Sequence, residues 1–448
     1  MVGKGSSAGM VPGLIVAAPS SGSGKTVVTL GLLRHLARSG VAVASAKAGP
    51  DYIDPAFHGR AGGRACLNLD PWAMRAETLT TAVGDLSDGA EAIICEGVMG
   101  LFDGATVDRG STADLAAAGG WPVVLVIDVR AQAASAAAVL GGFAAHRPDV
   151  HVAGVIFNRV GSPRHAEVVR AAAERWVPAV TVLGCIPRAE DLQLPERHLG
   201  LVQAMEHPDL ETFLDRAAAL IAAHVDTDAL LTLARPWQNP PSHSVDGTAL
   251  PPLGQRIAIA DDAAFAFRYP HVLEGWRRAG AETFPFSPLA DEEPDPAADA
   301  VYLPGGYPEL HGGRLAGNSR FLGGLRAAAE HGAVVFGECG GYMVLGRGLI
   351  DAAGERHAMA GLLPLETSFA DRGLHLGYRQ ATLAADGPLG RRGQAFRGHE
   401  FHYATIVEEG TGAPLFACAD ALGRDVGPAG RVDGRIAASF VHLIDTSP

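Results

Sequence analysis

Residues able to do chemistry gather in a few short stretches of this 448-residue chain. "VVFGECGGYMVLG" (334–346) sets Cys339 among glycines at the end of an apolar run. Gly337-Glu338-Cys339-Gly340-Gly341 has the form glycine-x-nucleophile-x-glycine, the sharp strand-to-helix turn of a nucleophile elbow. Such a turn tolerates no bulk on either side and lifts the sulfur out of the core. It also sets the sulfur over a helix N-terminus, where the thiolate is favoured and the pKa falls. The N–H of Gly340 then points where an oxyanion would form, and "LPGGYPE" (303–309) offers a second donor at Gly305 or Gly306. A thiolate needs a base. His442, in "AASFVHLID" (437–445), suits that role at the end of a late strand. "RGHEFHY" (397–403) offers His399 and His402, and reads equally as a β-hairpin with partly buried histidines.

A second chemistry lies near the N-terminus. "SGSGKT" (21–26) supplies Gly22, Ser23, Gly24, Lys25 and Thr26, which fit the end of a phosphate-binding loop. Glycines let backbone N–H groups turn toward phosphate oxygens. The helix that follows adds its positive dipole end, Lys25 a charge, and Thr26 a hydroxyl able to ligate Mg²⁺. Pro19 stands where the usual pattern has its first glycine, and a Gly-Ser-Gly turn alone is a common loop. Its place between a first strand and a first helix is what points to a nucleotide. "KAGPDYIDP" (47–55) and "ICEGVMGLFDG" (94–104) follow other strand-like runs. Ligands of open α/β sheets lie beyond the carboxyl ends of strands, so Asp51, Glu96 and Asp103 should gather near the loop. Thr26, Asp51 and Glu96 then make an oxygen shell for Mg²⁺, although each carboxylate singly also reads as a plain loop residue. Asn158, in "IFNRV" (156–160), can read a base through its amide or cap a helix.

These residues need elements to hold them. Buried apolar runs at 14–18, 41–47, 91–97, 123–128, 151–158 and 180–186 read as strands, with helices at 25–38, 131–146 and 164–176. That pattern predicts a doubly wound parallel sheet. It stops near 236, and 235–255 carries five prolines. We read 1–236 as one α/β domain, 237–255 as a linker and 256–448 as a second α/β domain. In the second, strands are expected at 256–260, 300–306 and 333–341, helices at about 269–279 and 320–331, and more strand from about 370 to 445.

The balance of 36 Lys and Arg against 49 Asp and Glu gives a net charge of −13, which disfavours nucleic acid as the main partner. The five cysteines are scattered and suggest neither a disulfide framework nor a zinc site. No run of apolar residues is long enough to span a membrane, and "MVGKGSSAGMVPG" lacks the apolar segment of a signal peptide, so a cytoplasmic protein is expected.

"GECGGYMVLG" with a distant "FVHLID" resembles the glutamine amidotransferase domain of the triad class, in its cobyric-acid-synthase branch. "SGSGKT", "GPDYIDP", "EGVMGLFDG" and "LPERHLGL" (194–201) resemble the a,c-diamide synthases of corrin biosynthesis, and the likeness runs from about Leu14 to Asp445. The N-terminal domain is similar in fold to dethiobiotin synthetase. That likeness implies Lys25 on the phosphates, Thr26, Asp51 and Glu96 on magnesium, Asn158 on adenine, and Lys47 beside the transferred phosphoryl group. It implies ATP, glutamine and a corrin polycarboxylate as substrates, acyl-phosphate chemistry, and a homodimer. Tyr52, Asp54, Asp103, Glu196, Arg197 and His198 are candidates to face the corrin, and "LPERHLGL" also reads as simple loop structure. Many triad enzymes carry His-x-Glu, but this chain has His442-Leu443-Ile444, so a Cys339–His442 dyad is expected, with Gly340 and Gly306 as oxyanion donors. Two rivals remain. One is a related corrin amidotransferase making the later amides, against which "SGSGKT" and "GPDYIDP" argue. The other is a partner-switching ATPase of the septum-positioning type, which would carry an extra lysine where Ser20 and Ser21 stand.

Overall fold

The computed structural model of the protein describes residues 10–189, 192, 194–197, 200–238 and 247–447. They form two compact units. One holds the described residues up to Trp72 and from Leu79 to 238, the other Ala73–Thr78 with those from Gly247 onward.

In the first unit seven strands make one wholly parallel sheet. They are β1 (Gly13–Ala17), β2 (Val43–Ala48), β3 (Leu67–Leu69), β4 (Ala92–Glu96), β5 (Val123–Asp128), β6 (Val152–Val160) and β7 (Thr181–Pro187), in the order β3-β2-β4-β1-β5-β6-β7. β1, β2 and β4 are buried at every position, as expected of strands covered on both faces. The strand order reverses beside β1, and the carboxyl ends of β1, β2 and β4 therefore converge where a ligand of such a sheet binds. Helix α1 (Lys25–Arg38) starts at the residue read from sequence. Its cap, Gly24, has φ 85° and Gly22 has φ 77°, left-handed conformations that glycine adopts without a Cβ clash. The helix expected over 131–146 begins only at Ala136, because turns occupy the residues before it. Helix α2 (Asp54–Gly62) grows directly out of "GPDYIDP", with Pro55 in its first turn.

The second unit is built on a ten-stranded sheet. Glu282–Phe286, Arg256–Ala260, Ala300–Leu303, Val334–Glu338 and Ile436–Ser439 run parallel in that order. Asp425–Asp433, Ala413–Ala419, His375–Leu383, Ala395–His402 and Val441–Thr446 continue it antiparallel. Only Phe440 separates Ile436–Ser439, inside the sheet, from Val441–Thr446, at its edge. The antiparallel half must curl back on itself for both strands to be reached.

The proline-rich segment is not loose at its described ends. Trp237 packs edge-on against Trp121 at 5.0 Å in the first unit, and Leu250 and Leu253 are buried in the second. Ala73–Thr78 clusters with the second unit, a placement no composition shift announces. Arg75 holds it there through Asp445 at 2.8–3.0 Å and the Thr248 carbonyl at 2.9 Å. Asp445, one residue beyond the usual triad position, is thereby committed to a structural ion pair.

Candidate functional sites

The first site lies at the carboxyl ends of β1, β2 and β4. Lys25 opens α1, Lys47 stands near the end of β2 and Glu96 ends β4, and all three are buried. Glu96 Oε1 accepts from Thr26 Oγ1 at 2.7 Å and from Lys47 Nζ at 3.0 Å, while Oε2 meets His58 Nε2 at 2.7 Å. Lys47 Nζ also donates to Asp54 Oδ2 at 2.5 Å. Burial alone would strip charge from each group, and the pairing reverses this for three of them. Glu96 is held well below the usual carboxylate range by Lys47 and His58. Lys47 is lifted by Asp54 and Glu96. His58, pushed down by burial, is carried up to about 10 by Cys66 and Glu96. Asp54 goes the other way, raised to about 6 by burial and Asp51 against the pull of Lys47. Lys25 is lowered by burial, with Glu96 opposing.

His58 is a member that sequence reasoning missed. Cys66 Sγ approaches its Nδ1 at 3.5 Å, so a buried Cys66–His58–Glu96 chain backs the carboxylate. A signal existed: Asp54 and His58 are spaced i, i+4 on α2 and share a face.

The other expected residues fall in different places. Asp51 Oδ1 accepts from the N–H groups of Ile53 and Asp54 at 2.8 and 3.0 Å, fastening the start of α2. Asp54 is not a carboxylate open to a substrate, because its ion pair with Lys47 draws it into the buried cluster. Asp103 is exposed and closes the turn at Gly100 at 2.9 Å, a glycine whose α-carbon also faces the Pro19 carbonyl at the start of the loop. Tyr52 is buried. Glu196–Arg197 pairs with Gly200–Leu201 in a short antiparallel ribbon, and His198 and the side chains of Glu196 and Arg197 lie outside the described residues. Asn158 Nδ2 donates to the Ser23 carbonyl at 2.9 Å, tying β6 to the glycine loop. A cavity of about 520 Å³ opens beside it, lined by Gly24, Asn158, Arg130, Arg159 and Arg188 among others. Arg159 has φ 61°, and its guanidinium reaches the Gly22 carbonyl at 2.7 Å. Two separate contacts from the end of β6 therefore fix the loop.

The second site is the elbow. Cys339 has φ 48° and ψ −103° between strand Val334–Glu338 and helix Gly340–Leu345, a strained backbone of the kind concentrated at functional positions. Its N–H donates to the Ser439 carbonyl at 2.8 Å. The backbone N–H groups of Gly340 and Gly306 act to lower the pKa of its thiol. A Cβ on Gly305 would collide with His442 Cε1 and lie 3.1 Å from both His442 Nε2 and Cys339 Cβ, so the two side chains converge on that glycine. The expected fall in the Cys339 pKa is not found. Burial and then Glu309 push the thiol up, and the two N–H donors do not offset them; the six-residue helix behind it contributes little dipole. Burial, with His399 and His402 adding, pushes His442 down to about 3. Both groups rest neutral.

Glu338, also unanticipated, ties the elbow to the strand of His442. Its Oε1 accepts from Leu443 N–H at 2.8 Å and its Oε2 from Tyr302 Oη at 2.6 Å. Burial raises its carboxyl to about 7 against those two donors. His399 pairs in register with His442 across adjacent strands, so "RGHEFHY" forms a strand beside the base.

Residues 14–202 match the CobQ/CobB/MinD/ParA nucleotide binding domain, and 256–448 match the CobB/CobQ-like glutamine amidotransferase domain. A hydrogenobyrinate a,c-diamide synthase of Sinorhizobium sp is 54% identical over 439 residues, covering 97% of this chain and 99% of its own. The chain belongs to the hydrogenobyrinate a,c-diamide synthase family. The members so named from Brucella abortus and Rhodobacter capsulatus are each 55% identical, over 97% and 96% of this chain and 99% and 98% of their own. Membership fixes the fold class expected from sequence, a nucleotide-binding α/β domain followed by an amidotransferase α/β domain. It also fixes the enzyme class, a glutamine-hydrolysing amidoligase. No helix among the described residues is long and apolar enough to cross a membrane.

Proposed function

We propose that the chain amidates the a and c side-chain carboxylates of hydrogenobyrinate, using ATP and ammonia released from glutamine. The observation that carries this reading is the pairing of a buried lysine–carboxylate cluster behind a glycine loop with a Cys–His elbow in a separate unit. The relatives' name supports the metal-free corrin over its cobalt form. We assign ATP and corrin to 1–236 and glutamine to 256–448, with 237–255 as linker, in keeping with the two family matches.

A carboxylate resists ammonia because its carbonyl is a poor electrophile and oxide a poor leaving group. Transfer of the γ-phosphoryl group of ATP to the carboxylate oxygen gives an acyl phosphate, whose phosphate then leaves as ammonia attacks. The loop from Gly22 to Thr26 cradles the phosphates, and Lys25 and Lys47 neutralise charge on the moving group. Thr26 and Glu96, with Asp51, offer the hard oxygen donors that Mg²⁺ takes; when bound, it supplies further charge neutralisation on the phosphates. Asn158 and the adjoining cavity receive the base. Tyr52 and Asp103, with Glu196, Arg197 and His198, take up the corrin. Cys339, its proton taken by His442, attacks the glutamine amide, the oxyanion rests on the Gly340 and Gly306 N–H groups, and ammonia leaves. Water then hydrolyses the thioester.

The test is the mass of the product formed with ATP and glutamine from hydrogenobyrinate beside cobyrinate. A diamide from the metal-free acid, made at a much higher kcat/KM, is expected. Preference for a substrate already amidated at a and c would instead favour the later-amide reading.

A further inference from the structure

A side-chain cluster that the proposed chemistry does not use lies on the strand pair His375–Leu383 and Ala395–His402. His375 stands opposite His402 in antiparallel register, and Glu400 is two residues before His402 on the same face. One ring nitrogen from each histidine and a Glu400 carboxylate oxygen lie within 4.8 Å of one another. We propose that His375, Glu400 and His402 form a Zn²⁺ site, with its fourth position open to solvent on the His375 side.

The hydrogen-bond inventory of His402 carries the argument. Its Nδ1 lies 3.0 Å from the Ala404 carbonyl and its Nε2 2.8 Å from Glu400 Oε1. Both partners only accept, whereas a neutral imidazole has one N–H to give. An Nδ1–H on a backbone carbonyl is the outer-sphere bond of a metal-ligating histidine, and it aims the Nε2 lone pair at Glu400. A cation between Nε2 and Oε1 reconciles the two acceptors. Arg379 Nε donates to Glu400 Oε2 at 2.7 Å, which orients the carboxylate and leaves Oε1 for the metal. Phe440 stacks on His402 at 3.8 Å and walls off the buried side.

Two imidazoles and a carboxylate suit Zn²⁺. Ligand atoms on a tetrahedral zinc stand about 3.3 Å apart, given bonds of about 2.0–2.1 Å, so Nε2 and Oε1 need separate by only about half an ångström. The His375 ring, now parallel to His402 with centroids 4.7 Å apart, has to turn toward the others. Its exposure makes that rotation cheap. The rival account is a metal-free imidazolium–carboxylate pair.

The experiment strips the full-length protein with EDTA and titrates it with Zn²⁺, and separately with Co²⁺ as a visible reporter. One equivalent is expected, with tetrahedral Co²⁺ absorption and a zinc-dependent rise in melting temperature. Exposed His375 is replaced at no risk to the core. His375→Ala should weaken binding by more than the ~10–100-fold typical of losing an outer-sphere partner, and Glu400→Gln should abolish the Co²⁺ spectrum. No zinc uptake at micromolar concentration overturns the proposal, as does uptake that His375→Ala leaves unaltered.

Discussion

The two centres manage charge in opposite ways. Around Lys25 the charged groups are buried but paired, and Lys47, Glu96 and His58 hold one another in their ionised forms. Around Cys339 the groups are equally buried, yet thiol and imidazole both rest uncharged. The contrast fits the ligands proposed for each. A polyanion needs a fixed cationic cradle in place before it arrives. A neutral amide needs none, and the elbow's charge can form as a thiolate–imidazolium pair only when glutamine is there to react.

The largest effect should come from breaking the charged side alone. Lys25→Ala should lower amidation by ~10³-fold or more, with glutamine or with ammonium salt, the scale lost with a cation on a transferring phosphoryl group. Glutamine hydrolysis by the same variant, followed as glutamate release, should survive. Substantial ammonia-driven amidation would detach the glycine loop from phosphoryl transfer.

A smaller effect sharpens the account of how the carboxylate is held. His58→Leu removes the partner of Glu96 Oε2 without touching the loop. The Mg²⁺ concentration for half-maximal ammonia-dependent amidation should rise ~10–100-fold, as for loss of an outer-sphere partner. Glutaminase activity should stay put, and near-UV circular dichroism checks the fold. An unchanged Mg²⁺ requirement would make His58 a packing residue only.

The mildest prediction concerns the neutral side. Glu338 titrates near 7 in the folded protein, against 4.5 for its ordinary value. A carboxyl raised on folding keeps its proton while the unfolded chain loses one. Stability therefore falls between pH 4.5 and about 7 and is level above that, by roughly 3 kcal/mol in all. Glu338→Gln should flatten that slope in urea melts taken across the window. A slope equal to that of the unaltered protein would place the titrating group elsewhere.

Much of this was legible because local chemistry fixed it. Gly22 and Gly24 sit where the chain needs left-handed residues, and α1 starts at Lys25 because the loop ends there. The glycine bracket around Cys339 likewise betrayed the strained turn. What was illegible depends on distant partners. Nothing in "HGRAGGRAC" says that Cys66 will meet His58 beneath Glu96, and nothing near the elbow says that Glu338 will reach Leu443, 105 residues on. The Cys339 pKa was misjudged for the same reason: helix and glycines are local signals, whereas burial is supplied by the whole unit. Asp54 looked available because sequence does not show that the chain between them turns it back onto Lys47, seven residues earlier.

The central claim is that activation and ammonia release are separable chemistries housed in different units. It is tested most directly by Cys339→Ser, assayed with glutamine and with ammonium salt at alkaline pH, where free ammonia is appreciable. Serine fits the elbow, but its hydroxyl is a far weaker nucleophile than a thiol. Glutamine-dependent product should disappear, and ammonia-dependent product should continue at close to the rate of the unaltered protein. Full glutamine activity, or loss of both activities in a folded variant, would contradict the account.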